Sequence, residues 1–264
     1  MSSVLVEIVE SKRAEIAALE LRRGEVEAAA AAAPPARDFL GALRGVTLGV
    51  IAEIKRRSPS KGDLAPGLDP AATARAYAAG GASCLSVLTD GPYFGGSEAD
   101  LLTARAAVTL PVLRKDFTVD ALQIDEARAM GADAVLLIVA ALDDSALADL
   151  HAHALERGLT VLVEVHDDDE LDRALAIGPE VVGVNARNLA SFAEDLSTGE
   201  RMIDRIPAGV VAVAESAIRS LDDARRMADA GFDAVLVGEA LVRSDDPTEL
   251  VQALRAVPTR PRAR

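Results

Sequence analysis

The chain has 264 residues, 42 of them acidic and 28 basic, and its formal net charge is −14. Such an excess of acid argues against a large surface that binds DNA or RNA. Hydrophobic residues make up 50% of the chain and charged residues 27%. This balance is typical of a globular protein with a sizeable core and excludes disordered and fibrous classes.

Cysteine content and the length of apolar runs bear on the location of the protein. Cys84 is the single cysteine, so an internal disulfide is excluded and a reducing compartment fits. The longest apolar run, residues 134–142, is far shorter than the ~20 residues of a membrane helix, and the N-terminus lacks a signal-peptide pattern. We therefore expect a cytoplasmic protein with neither a membrane nor a nucleic-acid partner.

Lysine is rare in this chain, because nearly all of its positive charge is carried by arginine. The four lysines are Lys12, Lys55, Lys61 and Lys115. Lysine can give up a proton at accessible pH and arginine cannot, so each lysine is a candidate for a titratable ammonium in a functional site. The alternative for each one is an ordinary lysine with no special role.

The N-terminal segment predicts a helical extension over residues 1–45. Residues 4–23 place Leu5, Ile8, Val9, Ile16 and Leu19 at helical spacing with charged residues between them, which indicates one amphipathic helix. The alanine run at residues 28–33 is followed by two prolines, which cannot continue a helix.

Eight short apolar segments follow from about residue 46, each separated from the next by enough chain for one helix. They are GVIAEI, SCLSVLT, PVLRKDF, AVLLIVA, TVLVEV, VVGVNA, VVAVAE and AVLVGEA. Strands that are apolar on both faces are typical of a parallel sheet covered by helices. We predict an α/β fold, a (β/α)₈ TIM barrel over residues 46–257 with a basic tail at residues 258–264. An open doubly wound sheet is the alternative, although no GxGxxG turn follows the first strand.

Turn and cap signals support these helix boundaries. Glycines close four helical stretches, at Gly81, Gly131, Gly178 and Gly231, as expected at a helix C-terminus. Aspartate runs follow four strands or open the next helix, at residues 143–144, 167–169, 222–223 and 245–246. We interpret these runs as helix N-caps and not as metal ligands.

Polar residues stand at the carboxyl ends of the predicted strands, where barrel enzymes carry their catalytic groups. They are Glu53 and Lys55 on strand 1, Lys115 on strand 3, Glu164 on strand 5, Asn185 on strand 6 and Glu215 on strand 7. Strand alternation directs Glu53 and Lys55 to the same side. Each residue alone fits a structural ion pair, but burying several further charges costs several kcal/mol per uncompensated ion. The cluster therefore predicts a catalytic site.

A phosphate site is predicted on the other side of the same mouth. Ser216 and Gly238 follow strands 7 and 8, where backbone N–H groups and a short helix can hold a dianion. Cations that would attract an anion to this mouth are Lys55, Arg56, Arg57, Lys61, Lys115 and Arg187.

The sequence gives no support to metal, esterase or nucleotide-hydrolysing chemistry. His151 and His153 are two residues apart on a predicted helix and face different directions, and His166 precedes an acidic capping run, so surface or supporting roles are expected for all three. We expect no metal and no cofactor.

Seven motifs occur in the order and spacing of a known family. They are IAEIKRRSPSKGDL, SVLTDGPYFGGS, PVLRKDFTVDALQIDEARAMGADAVLLIVAAL, LVEVHDDDEL, VVGVNARNL, AVAESAI and DAVLVGEALV. From about residue 46 the chain resembles the indole-3-glycerol phosphate synthases. Its N-terminal helix is similar to the helical segment that this family places over its barrel.

The resemblance implies a carboxy-lyase of tryptophan biosynthesis. Its substrate would be the phosphorylated small molecule 1-(2-carboxyphenylamino)-1-deoxyribulose 5-phosphate, which loses CO₂ and water to form indole-3-glycerol phosphate without a cofactor. Lys115 would protonate the developing oxyanion. Lys55 and Glu164 would serve the dehydration, and which of them is the acid stays open. Glu215 and Asn185 would orient the lysines and bind substrate hydroxyls.

The same resemblance implies a set of binding residues. Ser58, Ser216 and Gly238 would lie near the phosphate, with Arg187 as a weaker addition, and Lys61 would belong to a loop that moves. Pro59, Phe94 and Phe117 would flank the aromatic ring, although ordinary core packing explains each phenylalanine equally well.

One departure and two rival functions complete the expectations. The family usually has glycine after Glu-Ser on strand 7, whereas this chain has Ala217, whose Cβ would strain the turn or crowd the phosphate. The rivals are another phosphate-binding barrel isomerase or a Schiff-base aldolase that uses Lys115, and a catalytically silent barrel scaffold. We expect a monomer.

Overall fold

The computed structural model describes residues 3–188 and 191–262. Met1, Ser2, the last two residues of the basic tail, and Leu189 of the VVGVNARNL motif lie outside this part of the chain. The described barrel strands are β1 (Gly49–Ile54), β2 (Cys84–Leu88), β3 (Val112–Lys115), β4 (Ala134–Ile138), β5 (Thr160–Val165), β6 (Val181–Asn185), β7 (Val211–Glu215) and β8 (Ala234–Val237).

These strands form a closed parallel barrel in which each strand pairs with its neighbours in sequence. β1 closes the ring by pairing with β2, with Ile51 opposite Cys84, and with β8, with Gly49 opposite Ala234. The predicted TIM barrel is confirmed, and the open sheet is wrong. A short antiparallel pair, Arg57–Ser58 with Gly62–Asp63, forms a hairpin after β1.

The helices surround the barrel or precede it. They are α1 (Ser3–Glu20), α2 (Arg23–Ala32), α3 (Phe39–Leu43), α4 (Pro70–Ala79), α5 (Gly91–Phe94), α6 (Glu98–Ala107), α7 (Ala121–Ala129), α8 (Asp144–Glu156), α9 (Asp168–Ala176), α10 (Ser197–Met202), α11 (Leu221–Ala230), α12 (Glu239–Val242) and α13 (Pro247–Arg255). Single 3₁₀ turns occur at Val139–Ala141 and Ile203–Arg205.

The alternation of strand residues divides the core into two layers. The larger layer packs between the barrel and its helices, whereas the smaller one fills the barrel interior with residues such as Ile51, Leu113, Leu162 and Val213. Two positions beyond these four residues stand Glu53, Lys115, Glu164 and Glu215. Because side chains repeat every second residue along a strand, the charged groups share the inward direction and lie above the apolar interior.

Most of the predicted glycine and aspartate signals at the helix ends are present in the structure. Gly81, Gly131, Gly178 and Gly231 all have positive φ angles, and Asp143, Asp167 and Asp246 cap α8, α9 and α13 by accepting from backbone N–H groups. The pair at residues 222–223 differs, because Ser220 is the N-cap of α11 and Asp223 completes its capping box. Ser220 is followed three residues later by a carboxylate, which is the capping-box spacing.

The N-terminal segment is two helices instead of the predicted one. α1 ends at Glu20 and α2 begins at Arg23, because Arg22 leaves the helical conformation with φ −120° and ψ 16°. The two helices then pack on different parts of the barrel: α2 lies along α7, whereas Leu5 and Ile8 of α1 face the barrel mouth.

Within residues 3–188 and 191–262, no helix has the length and apolar character needed to cross a membrane.

Candidate active site

A cavity opens at the carboxyl ends of the barrel strands, with about 1220 Å³ of atom-free space including its mouth. All six predicted catalytic residues line it: Glu53, Lys55, Lys115, Glu164, Asn185 and Glu215. Five of them lie on β1, β3, β5, β6 and β7, and Lys55 directly follows β1.

Lys115 occupies the centre of this group. Its Nζ lies 2.7 Å from Oε2 of Glu164 and 3.2 Å from Oε2 of Glu215. Both carboxylates are buried, with exposures of 2% and 1%, whereas the Lys115 side chain keeps 13% of its surface exposed to the cavity. The ammonium is therefore held by protein carboxylates on one side and open to a ligand on the other.

Burial and mutual attraction set the charges of this group. Burial opposes the charge on Lys115, but Glu164, Glu215 and Glu53 outweigh it and raise the pKa of Lys115. Burial also disfavours the charge on Glu164, yet Lys115 and His166 hold the pKa of Glu164 well below its usual range. Burial raises the pKa of Glu215 to about 8, where Lys115 opposes the shift and Glu164 adds to it. The site thus holds an ammonium and a carboxylate, and next to them a carboxyl group whose burial favours its protonated form.

Glu164 has two further partners besides Lys115. Asn185 Nδ2 donates to its Oε1 at 3.0 Å, and His166 Nε2 lies 3.3 Å from the same oxygen. His166 Nδ1 lies 3.0 Å from Oε2 of Glu170. Burial opposes a charge on His166, but the neighbouring carboxylates of Glu164 and Glu170 raise its pKa to about 10 and so favour its protonated form beside Glu164.

The sequence analysis expected a surface or supporting role for His166 and did not count it among the site residues. The signal was available, because His166 stands two positions after Glu164 and strand alternation directs both side chains the same way.

Two glycines leave room for the buried carboxylates. A Cβ at Gly183 would lie 1.9 Å from Oε1 of Glu215, and a Cβ at Gly238 would lie 2.3 Å from Oε1 of Glu53. Glu53 Oε1 in turn lies 2.5 Å from Lys55 Nζ, so the predicted pairing of these two residues is present. Gly238 therefore serves the acid–base group as well as lining the cavity.

Most of the predicted binding residues also line the cavity: Ser58, Pro59, Phe94, Phe117, Arg187, Ser216 and Gly238. The rings of Phe94 and Phe117 are 6.1 Å apart at their centroids and tilted by 38°. They are half-buried, so they face the cavity as well as each other.

Lys61 is the predicted binding residue that the structure leaves outside the cavity lining. It is exposed at the hairpin after β1, where the short turn directs it to solvent, and its binding role stays a prediction. Arg56 and Arg57 were expected to attract an anion, but they have structural partners instead. Arg56 pairs with Asp100, and Arg57 donates to the carbonyl of Gly91 at 3.0 Å.

The turn after β7 carries the strain expected for alanine at position 217. Ser216 and Ala217 both have left-handed backbone conformations, with φ 64° and 58°. Glycine adopts this conformation without a steric cost and alanine does not.

Several lining residues were missed by the sequence analysis. Leu5 and Ile8 of α1 cover the mouth, and their helical spacing shows an apolar face without showing what it packs against. Glu194 also lines the cavity and forms ion pairs with Arg187 and Arg219. It comes from a loop, where no periodic signal exists.

Within the described part of the chain, no group of three or more His, Cys, Asp or Glu residues is arranged to hold a metal ion.

A closed (β/α)₈ barrel with an acid–base group at the carboxyl ends of its strands defines a barrel enzyme. A family model described as indole-3-glycerol phosphate synthase matches residues 5–254. The chain belongs to this family.

Relatives with that name cover nearly the whole chain. The protein from Mycobacterium ulcerans is 52% identical over 98% of this chain and 96% of its own length. The one from Nocardioides sp. is 53% identical over 97% and 99%, and the one from Azospirillum brasilense is 50% identical over 97% and 100%.

Solved structures with low sequence identity share the fold. The N-acetylmannosamine-6-phosphate 2-epimerase of Clostridium perfringens has a TM-score of 0.60 at 15% identity and covers 75% of this chain and 89% of its own. Thiamine phosphate pyrophosphorylase from Pyrococcus furiosus has a TM-score of 0.58 at 17% identity, with coverages of 80% and 95%.

Proposed function

We propose that this protein is an indole-3-glycerol phosphate synthase. It closes the indole ring of 1-(2-carboxyphenylamino)-1-deoxyribulose 5-phosphate with loss of CO₂ and water, and so serves tryptophan biosynthesis. The observation that carries the proposal is the Lys115 ammonium, 2.7 Å from Glu164 and open to a cavity that also holds the Lys55–Glu53 pair.

The first step forms a carbon–carbon bond. The ring carbon that bears the carboxylate attacks the ketone carbon of the sugar chain, and the ketone oxygen takes a proton from an ammonium. Lys115 supplies both the positive charge and the proton. The carboxylate then leaves as CO₂, and its electron pair restores the aromatic ring.

The second step removes water. The new hydroxyl leaves with a proton, and the neighbouring carbon gives up another to a base. The pKa of Glu164 is held low by Lys115 and His166 despite its burial, so Glu164 is a carboxylate and suits the role of proton acceptor. We therefore propose Lys55 as the proton donor; its Nζ lies 2.5 Å from Oε1 of Glu53. Glu215 and Asn185 orient Lys115 and Glu164 and bind substrate hydroxyls.

Two groups of lining residues suit different parts of the substrate. Ser58, Ser216 and Gly238 offer hydroxyl and backbone groups to the phosphate, with Arg187 nearby. Phe94, Phe117 and Pro59 provide the apolar end for the aromatic ring.

The direct test is turnover of 1-(2-carboxyphenylamino)-1-deoxyribulose 5-phosphate by the purified protein. Indole fluorescence reports the product without a tryptophan signal from the protein, because the chain contains no tryptophan. We expect multiple turnovers in the presence of EDTA. Absence of indole, or a lysine adduct trapped by borohydride in place of turnover, would support the scaffold or the aldolase.

We propose further that the protein acts as a monomer in the cytoplasm. Its largest exposed apolar side chains, Val6, Leu21, Val46, Leu102 and Leu155, stand on different segments, and Cys84 is buried. Light scattering would give a mass near 27.5 kDa; twice that mass would contradict the monomer.

A further inference from the structure

Lys12 of α1 is almost completely buried, although it belongs to the exposed N-terminal segment. Its exposure is 1%, and its Nζ lies 2.8 Å from Oδ2 of Asp90, 2.9 Å from Oδ1 of Asp116 and 2.9 Å from Oε2 of Glu15. Asp90 and Asp116 are themselves 0% and 3% exposed. They follow β2 and β3, so the contacts join α1 to the carboxyl face of the barrel.

A structure that only needed to attach a helix would use apolar contacts, since burying charges is costly even when they are paired. The chain also uses arginine for most of its positive charge but has a lysine here. A compact ammonium can meet three separate carboxylates in a small space, whereas a planar guanidinium is larger and binds in fixed directions.

The two aspartates also position the aromatic end of the cavity. Asp90 Oδ1 accepts hydrogen bonds from the backbone N–H groups of Tyr93 and Phe94 at 2.8 and 3.2 Å. Asp116 Oδ1 accepts from the backbone N–H of Phe117 at 2.8 Å. The carboxylates that hold Lys12 therefore also hold the backbones of both ring-bearing residues.

On α1, the helix that carries Lys12, two apolar side chains cover the same end of the cavity. Leu5 and Ile8 lie seven and four residues before Lys12 and share its face of the helix. Both line the cavity. One buried ammonium thus connects the apolar cover to Phe94 and Phe117.

We propose that Lys12 is a positioning residue for the aromatic-ring subsite. Its contacts with Asp90 and Asp116 set the distance between the α1 cover and the two phenylalanines. The inference rests on the proposed function for the identity of the aromatic ligand, and it concerns the apolar end of the cavity alone, leaving the phosphate end unaffected.

The test compares two ligands on the full chain. Indole-3-glycerol phosphate probes both ends of the cavity, and glycerol 3-phosphate probes the phosphate end. Because the chain has no tryptophan, the fluorescence of the indole ligand reports its binding, while calorimetry measures glycerol 3-phosphate. For Lys12→Met we expect the Kd of the indole ligand to rise at least about tenfold and that of glycerol 3-phosphate to change less than about twofold. Arg13→Met, an exposed neighbour on the same helix, is the matched control and should leave both constants unchanged.

Lys12→Arg keeps the charge and tests the same proposal if Lys12→Met does not fold. Its guanidinium is larger and planar, whereas three carboxylates enclose the Lys12 ammonium, so we expect α1 to move outwards and the same selective loss to follow. Wild-type constants in a folded variant, or equal losses for both ligands, would overturn the proposal. Failure of the wild-type protein to form indole-3-glycerol phosphate would instead count against the proposed function, because the Lys12 inference is judged on the ratio of the two affinities.

Discussion

At the scale of single residues, the site depends on two glycines as much as on its charged side chains. Gly183 and Gly238 leave the space that Glu215 and Glu53 occupy, since a Cβ at either glycine would lie within 2.3 Å of a carboxylate oxygen. Alternation along the strands predicted the direction of these carboxylates. It did not predict the glycines' role, because steric room for a neighbour has no signature in a single sequence.

Ala217 is the residue at which this chain departs from the family pattern, and its φ of 58° predicts a gain on replacement. Ala217→Gly should raise the free energy of unfolding by up to about 1 kcal/mol, because glycine relieves the strain at a modest entropic cost. Urea unfolding measures the change. Ala65→Gly, at a loop position without a positive φ, should destabilise instead; a loss of stability in both variants would contradict the strain.

Glu215 makes stability depend on pH in a defined direction. Its pKa is raised by burial to about 8 from the ordinary 4.5, so the folded protein binds a proton that the unfolded chain has released. The corresponding stability is present below pH 4.5 and is lost as the pH rises through about 8. His166, with a pKa raised to about 10 by its carboxylate partners against the effect of burial, acts in the same direction at higher pH.

Glu215→Gln removes the Glu215 contribution. Between pH 5 and 8 its unfolding free energy should fall less steeply than that of the wild type, by at most about 1.4 kcal/mol per pH unit. Urea titrations at several pH values test this, with the exposed Glu7→Gln as the control. Parallel curves for wild type and Glu215→Gln would show that Glu215 does not bind the extra proton in the folded protein.

At the scale of helices and strands, sequence periodicity predicted the elements of the barrel but missed two features of the N-terminal extension. The eight strands, the helix-closing glycines and most aspartate caps follow from patterns that are local in the chain. The break at residues 21–22 and the burial of Lys12 do not. A lysine at helical spacing within an apolar stripe looks like a residue at the edge of that stripe, and only the aspartates after β2 and β3 show that it faces inward.

The hairpin after β1 is the element for which the sequence predicted motion. Lys61 is exposed on it, while the preceding Ser60 accepts a hydrogen bond from Arg187 at the cavity wall. We expect Lys61→Ala to change the steady-state rate or KM several-fold while the single-turnover rate stays within about twofold, because a loop of this kind affects binding and release. Arg75→Ala, an exposed cation on α4, is the control. Equal losses in the two rates would place Lys61 in the chemistry.

At the scale of the whole molecule, barrel closure brings together residues that are far apart in the chain. Glu53 on β1 and Glu215 on β7 are both adjacent to β8, and Lys115 on β3 reaches Glu215 across the interior. The protein carries a net charge of −14, yet Lys55 and Lys115 both line the cavity at the carboxyl ends of the strands. Net charge alone therefore indicates little about the sign of the ligand, because a few cations can be concentrated at a single cavity.

The most direct measurement is the single-turnover rate of indole formation by Lys115→Met. In the proposed mechanism, removing the ammonium takes away the proton for ring closure, and the buried Glu164 keeps His166 and Asn185 as partners. We expect the rate to fall by a factor of about 10² or more while circular dichroism shows a folded protein, and Arg75→Met to retain the wild-type rate. Near-normal indole formation by folded Lys115→Met would contradict the role of Lys115 as the acid that closes the ring.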